Sequence, residues 1–438
     1  MSQKLCIPSF IIDICETLNK HGFESYLVGG ALRDMLMGRK TSDYDLATNA
    51  LPHEISTVFP RAKAYGEFGT MLIVTRNNIV EITPFRDDAP GRKPNYSFGG
   101  SIYSDLARRD FTINSIAYDP LTEELIDPYG GQRDIKAKVI RCTGSTKRIW
   151  EDPLRAMRAA RFQAQLGFSI ESQTLYSLKA EAQGLTTISP ERIRDELSKT
   201  ITGDYVFDGL VTLIITGLME YIIPELLEGM GVMHYNKPMD VLEHNLITCK
   251  MIKNTLPLRL AGLLHDIAKP ITAIQGEKGL EFPQHHVKSA ILAEKILKRL
   301  RFDNKTIKKV VLIVKHHMFY YTPNSPISDA RHLVSKLGWD NIYDLIDMRI
   351  ADRVASGFDK AVGEGLKKLI KDLELLKTEN SDYQLKDLAI SGKDLMEILH
   401  IPSGPIVGEI LEELLKKTIK NPKLNNKKAL IELAKKAL

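Results

Sequence analysis

The chain has 438 residues, 43% of them hydrophobic and 26% charged, with 60 basic against 55 acidic residues for a formal charge of +5. Those values describe a globular protein of roughly two to four domains; they permit a polyanionic partner without demanding one. The opening residues from Met1 to Ile7 lack the apolar core of a secretion signal, no stretch approaches roughly 18 uninterrupted apolar residues, and Cys6, Cys15, Cys142 and Cys249 form no CxxC pair. Reduced thiols in a soluble, cytoplasmic protein are the expectation.

From Ile7 to His21 apolar residues recur at helical spacing (Ile11, Ile12, Ile14, Cys15, Leu18). Ser25 to Val28 reads as a strand that delivers Gly29 and Gly30 to the start of a helix running to Met37 and stopped at Gly38. Further extended segments are expected from Tyr44 to Ala47, from Thr70 to Val74 and from Asn78 to Thr83, with Asn77 and Asn78 near the turn between the last two. Together they make a small mixed sheet with helices. From Asp87 to Gly100, proline, glycine and charge mark a mobile loop. Between about residue 151 and 350 the period is almost wholly helical, so the chain divides near residue 140 into an α+β head and an all-α remainder. The last stretch, Leu411 to Leu438, carries eight lysines against three glutamates, which serves either a solvated helix face or an RNA backbone.

The glycine pair opens a helix N-terminus, a natural phosphate site, and Asp43 and Asp45 follow it two residues apart, on one face of an extended strand. Either feature alone is commonest in plain turns. Joined as strand, glycine pair, helix and second strand, they point to a carboxylate pair that holds divalent cations for nucleotidyl transfer. Glu81, on a later strand, is a third carboxylate or a solvent-facing strand residue. Downstream, Arg108, Arg109, Asp110 and Asn114 form a dense polar run: arginines suit phosphates, and Asp110 and Asn114 can read a ribose hydroxyl. The alternative is a capped helix with a surface ion pair.

Asp152, Arg155, Arg158 and Arg161 recur every three residues, a polar stripe if the segment is one helix. An aspartate accepts and an arginine donates, so a fixed Asp152–Arg155 pair suits a base edge with an exocyclic amine beside a ring-nitrogen acceptor. Cytosine and adenine present that edge; guanine and uracil present the reverse. A helix-surface ion pair is the competing reading.

The segments Leu27 to Thr48, Leu106 to Pro120 with Ile126 to Gly131, Glu151 to Phe168, and Ile188 to Leu197 resemble the ordered motifs of class II CCA-adding tRNA nucleotidyltransferases, in the polymerase-β-like superfamily. The resemblance implies a head at 1–140, a helical neck at 141–205, a helical body at 206–375 and a tRNA-binding helical tail at 376–438. It implies addition of CCA to the tRNA 3′ end from CTP and ATP without a nucleic-acid template, by a monomer or homodimer. Asp43 and Asp45 would bind Mg²⁺; Gly29, Gly30 and Arg33 would line the triphosphate site; Arg108, Arg109 and Asp110 would serve ribose and phosphate. Asp152 and Arg155 would select the base, with Arg158 and Arg161 on phosphates. The segment between Arg86 and Arg108 is a few residues shorter than in members that add all three nucleotides, which leaves a CC-adding enzyme open.

In the helical half, His244, His265-Asp266, His285-His286, His316-His317 and Asp352 supply mixed nitrogen and oxygen ligands for a divalent metal, although each histidine alone more often sits at a surface or in a satisfied core. Their order resembles the HD superfamily of metal-dependent phosphohydrolases. By that resemblance His244, His265, Asp266 and Asp352 would ligate Ni, Mn, Co or Mg, with His286 and His316 facing metal or phosphate. Phosphatase or 2′,3′-cyclic phosphodiesterase activity would follow. Alternatives to CCA addition are a bacterial poly(A) polymerase, an HD nucleotide phosphohydrolase with an inert head, and a non-catalytic RNA-binding protein.

Overall fold

The computed structural model describes residues 5–66, 69–75, 78–88, 96–234, 239–277, 279–358, 362–378 and 385–436. The chain divides into two compact units, Met1–Pro224 and Glu225–Leu438.

The first unit begins with the expected helix, Ser9–Lys20, whose buried Ile11, Ile14, Cys15 and Leu18 form one stripe. The strands that follow are β1 (Ser25–Val28), β2 (Tyr44–Thr48), β3 (Lys63–Tyr65), β4 (Thr70–Val74), β5 (Ile79–Pro84), β6 (Arg86–Asp88), β7 (Tyr96–Phe98), β8 (Ala117–Tyr118), β9 (Leu125–Ile126), β10 (Val139–Ile140) and β11 (Ser169–Ile170), the last two paired parallel with each other, so the stretch after residue 151 is not helical throughout. Seven of them form one sheet in the order β3-β4-β5-β2-β1-β8-β9. It is mixed, as expected: β2 and β5 run parallel, and the other pairs are antiparallel. Alternation along the strands fills two cores. Leu27, Leu46, Val80 and Ile82 pack on the side of the helix Ser9–Lys20, while Val28, Ala47 and Ala117 pack with Phe85, Ile102 and Leu106 on the other.

The segment from Asp87 to Gly100 is not loop throughout. β6 and β7 pair antiparallel, Arg86 opposite Phe98, and form the two arms of a hairpin. Its centre, where the shortened stretch was expected, lies outside the described residues, as does Asn77.

After the sheet, Leu154–Leu166 packs against Pro190–Ile201 and Val206–Ile215, still within the first unit. The second unit is helical, apart from a small hairpin of Ile274–Gly276 with Gly279–Glu281. The helices Val241–Met251, Leu256–Leu264, His285–Arg299, Asn304–His316 and Trp339–Ala355 pack on one another around the histidines. A separate small core of Leu395, Ile410, Leu414 and Leu430 joins Gly392–Leu399, Pro405–Lys420 and Lys427–Lys435. Among the described residues no helix is long and apolar enough to cross a membrane.

Candidate active site and a buried histidine cluster

The helix Gly29–Leu36 starts directly at the end of β1, with Gly29 at φ +70°. β1 and β2 pair so that Val28 stands opposite Asp45. A Cβ at position 29 would lie 3.0 Å from Asp45 Oδ2 and 3.2 Å from Arg109 Nη1, so both the backbone angle and the space call for glycine. The parallel register of β2 and β5 sets Glu81 beside Asp45. Asp43 is exposed and immediately precedes β2; its charge is felt at both Asp45 and Glu81.

Burial pushes the Asp45 carboxyl up to about 6; Arg109 opposes this, and Glu81 and Asp43 add to it. Burial and Asp43 also raise Glu81. Two carboxylates pushed up by burial and by their acidic neighbours, with Asp43 close enough to act on both and a helix N-terminus beside them, fit a hard divalent cation with oxygen ligands such as Mg²⁺. The two expected aspartates and Glu81 are therefore brought together.

Arginines surround this edge, each held by a carboxylate. Arg33 is buried; its Nη1 donates to Asn114 Oδ1 (2.9 Å), and its Nε and Nη2 donate to Asp34 Oδ1. Arg108 and Arg109 both grip Asp105, which is almost fully buried and which, despite that burial, they hold below the usual carboxylate range. Arg109 Nη1 also donates to the Asn114 carbonyl (3.4 Å). Asp105 carried no signal in the sequence, since it faces the protein's own arginines rather than a ligand.

The expected stripe from Asp152 to Arg161 needs three corrections. First, the segment is two helices, Lys147–Glu151 and Leu154–Leu166, and Asp152 lies in the break with extended backbone, φ −139° and ψ 100°. Pro153 disfavours a helical residue before it. Second, Asp152 does not pair with Arg155: its Oδ2 accepts from Arg192 Nη2 (2.9 Å) and its Oδ1 from the Leu154 N–H (3.1 Å). Arg155 instead donates to Glu151 (3.1 Å) and to the carbonyls of Arg148 (2.8 Å) and Arg108 (3.0 Å). Third, Arg161 is buried with its Nη1 donating to Glu196 Oε1 (3.2 Å), and burial brings its guanidinium down to about 10. Arg158 donates to Asp110 Oδ2 at 2.6 Å.

In the second unit, His244, His265, Asp266 and Asp352 do converge, and His234, His285 and His317 join them. The ring atom His244 Nε2 lies 3.1 Å from His265 Nε2 and 3.3 Å from Asp352 Oδ1. Asp266 Oδ2 faces His265 Nε2 (3.2 Å), His234 Nε2 (3.5 Å) and Lys269 Nζ (2.6 Å), while its Oδ1 faces His285 Nε2 (3.2 Å). The expected His286 and His316 are only half-buried; their neighbours His285 and His317 are the inward ones. On His265, His285 and His317, Nδ1 lies 2.7–2.9 Å from a backbone carbonyl, that of Gly262, Phe282 and Val314 respectively. A carbonyl only accepts, so Nδ1 carries the proton and each Nε2 lone pair turns to the cluster, the orientation a metal-ligating histidine needs. Asp266 Oδ1 and His285 Nε2 are buried without a hydrogen bond in that geometry. The donor set of nitrogen and carboxylate oxygen fits a divalent transition metal.

The titration directions agree with the geometry. Burial lowers His244 to about 4, whereas in His265 the neighbouring Asp266 outweighs burial and raises the value. His265 and Lys269 hold Asp266 well below the carboxylate range against its own burial.

A glycine-opened helix beside clustered carboxylates on a mixed sheet is the head of a polymerase-β-like nucleotidyltransferase. Three family models match the chain: the poly A polymerase head domain over residues 25–141, the probable RNA and SrmB-binding site of polymerase A over 167–230, and the putative tRNA nucleotidyltransferase domain 2 over 285–434. The CCA-adding enzyme of Geobacillus sp. strain WCH70 is 33% identical over 424 residues, covering 95% of this chain and 94% of that one. The A-adding tRNA nucleotidyltransferase of Deinococcus radiodurans is 32% identical over 414 residues, 89% and 90% of the two chains. Among solved structures, the Bacillus stearothermophilus CCA-adding enzyme in complex with CTP matches with a TM-score of 0.75 at 27% identity over 98% of both chains. The chain belongs to the CCA-adding enzyme family and is a nucleotidyltransferase.

Two predictions follow from these sites. Because burial favours the neutral form of Asp45, the metal-free protein loses stability as pH rises from the ordinary carboxylate value of about 4 through about 6. Mg²⁺ competes with that proton, so it raises the melting temperature at pH 7.5, the rise shrinks as pH falls through 6, and Asp45→Asn abolishes it. In the cluster, Asp266→Asn leaves Lys269 as a buried cation without its carboxylate and lowers stability by about 3–5 kcal/mol in urea unfolding, whereas chelation leaves the protein folded.

Proposed function

We propose that this protein adds C and A to the 3′ end of tRNA from CTP and ATP. The observation that carries the proposal is the continuity of one polar network: Asp43, Asp45 and Glu81 lie beside the glycine-opened helix, and hydrogen bonds lead from that helix through the buried Arg33, Asn114 and Asp110 to the helix that bears Arg155 and Arg158. Asp43 and Asp45 would hold the divalent cations, which when bound would activate the attacking hydroxyl and neutralise charge on the leaving pyrophosphate. The first turn of the helix Gly29–Leu36 and Arg109 offer backbone amides and positive charge to the triphosphate. Asp152 accepts from the exocyclic amine of cytosine or adenine once Arg192 gives way, and Arg155 donates to the ring nitrogen. Two relatives with different printed activities, CCA addition and A addition, make the last nucleotide the point to test.

Purified protein is incubated with tRNA ending at the discriminator base, with tRNA-C and with tRNA-CC, each with one labelled nucleotide at a time. A CCA-adding enzyme puts C on the first two and A on the third; an A-adding enzyme extends only tRNA-CC; a CC-adding enzyme leaves tRNA-CC unextended. Addition of A alone to unrelated RNA makes the protein a poly(A) polymerase and overturns the reading.

The histidine cluster favours a second activity, metal-dependent phosphohydrolysis in the second unit. With Ni²⁺, Mn²⁺ or Co²⁺, hydrolysis of 2′,3′-cyclic AMP or p-nitrophenyl phosphate is expected, abolished by His265→Ala while C and A addition continues. Hydrolysis that persists in His265→Ala removes the cluster as its source. Hydrolysis as the principal activity, unaffected by Asp45→Ala, makes the head inert.

A further inference from the structure

Both carboxylate oxygens of Asp110 accept hydrogen bonds from the protein itself. Its Oδ1 accepts from the Phe111 N–H (2.9 Å) and from Asn114 Nδ2 (3.3 Å), and its Oδ2 accepts from Arg158 Nε (2.6 Å). It is 6% exposed, and Arg158 outweighs that burial to hold it ionised. Asn114 in turn accepts from Arg33. The chain Arg33–Asn114–Asp110–Arg158 therefore runs from the glycine-opened helix, through the short turn Thr112–Asn114, into the helix Leu154–Leu166.

A second link spans the same gap. The Phe162 ring, one turn beyond Arg158, lies 5.3 Å from Arg33 Cζ and 5.6 Å from Arg158 Cζ, and Phe111 meets it edge-on at 5.8 Å. Arg161 Cζ lies nearer still, at 4.3 Å, so three guanidiniums gather on this ring, while Arg33 Nη1 donates to Asn114, Arg33 Nε and Nη2 to Asp34, and Arg158 Nε to Asp110. A polar contact and an aromatic contact fix the same distance.

We propose that Asp110 and Phe162 are positioning residues that tie the helix Leu154–Leu166 to the phosphate-side Arg33, so that the choice of base depends on this tie more than the binding of the triphosphate does. The proposal rests on the nucleotide-adding reading above. Arg155 sits one turn before Arg158 on that helix, and Asp152 sits just before its start. A base edge is told from another by donor and acceptor placement within about 0.5 Å, and a displacement of about 1 Å near the chemistry changes rates by about a hundredfold. A triphosphate, by contrast, tolerates small shifts among several cations.

The test measures kcat and KM for CTP on tRNA lacking CCA and for ATP on tRNA-CC, with UTP and GTP as competitors, in the full-length protein and its variants. Asp110→Asn keeps the size and the Oδ1 acceptor but turns an amide N–H toward Arg158; Phe162→Leu removes only the ring. Each is expected to raise the ratio of wrong to right nucleotide about tenfold or more, with KM for the correct triphosphate changing less than about threefold. Arg158→Lys, which keeps a charge for Asp110, retains most of the selection, and Asp110→Asn with Arg158→Gln together do no worse than the poorer single variant. Equal loss of kcat/KM for all four nucleotides with selection intact overturns the tie, as do additive effects in the double variant. If Asp110→Asn does not fold by circular dichroism, Phe162→Leu decides alone. Wild-type protein that adds neither C nor A overturns the nucleotide-adding reading and this proposal with it; wild-type addition with selective variants overturns the tie only.

Discussion

The antiparallel register that sets Val28 opposite Asp45 brings the first helical turn after β1 against a carboxylate, whose Oδ2 lies 3.0 Å from where a Cβ at Gly29 would stand. The rest of the head follows from that approach. A slip of one residue would carry Asp45 to the opposite face of the sheet and put Leu46 beside the helix N-terminus. The parallel β2–β5 pairing then supplies Glu81 at the same level. The charges are assembled by backbone pairing between strands whose other residues fill two hydrophobic cores, so the arrangement is as rigid as the sheet.

Around it, the cations are positioned before any substrate arrives. Asp105 holds Arg108 and Arg109, Asp110 holds Arg158, Asp152 holds Arg192, and Glu196 holds Arg161. A free arginine on a surface loses about 2 kcal/mol of side-chain entropy when it is immobilised; here much of that ordering is complete on folding. Preorganised donors are the form in which an electrostatic site acts most strongly on developing charge.

Much of this was readable in the sequence, and the failures have physical causes. The strand, glycine pair, helix and aspartate pair are encoded by local period and turn chemistry, and the structure keeps them nearly to the residue. The arms of the β6–β7 hairpin are three residues each, too short for any period to show. Pro153 did mark the break before Leu154, and weighing it above the three-residue recurrence would have taken Asp152 off the helix. Between His285 and His286, or His316 and His317, adjacent residues differ by about 100° around a helix, and only the packing of the second unit chooses which turns inward. His234 is far from its partner Asp266 in sequence and is recognised only by convergence, whereas Lys269 stands three residues from Asp266 and pairs with it locally.

The buried histidine cluster has a property that follows from Lys269 and Arg349. Asp266 Oδ2 lies 2.6 Å from the buried Lys269 ammonium and Asp352 Oδ2 lies 3.2 Å from Arg349 Nη1, so each carboxylate of the cluster has one of the protein's own cations beside it. A site built on bare carboxylates would be selected to keep its ion, because losing the ion would threaten the fold. Here the fold itself supplies a cation to each carboxylate, so the charge balance of the helices that carry them does not depend on an ion.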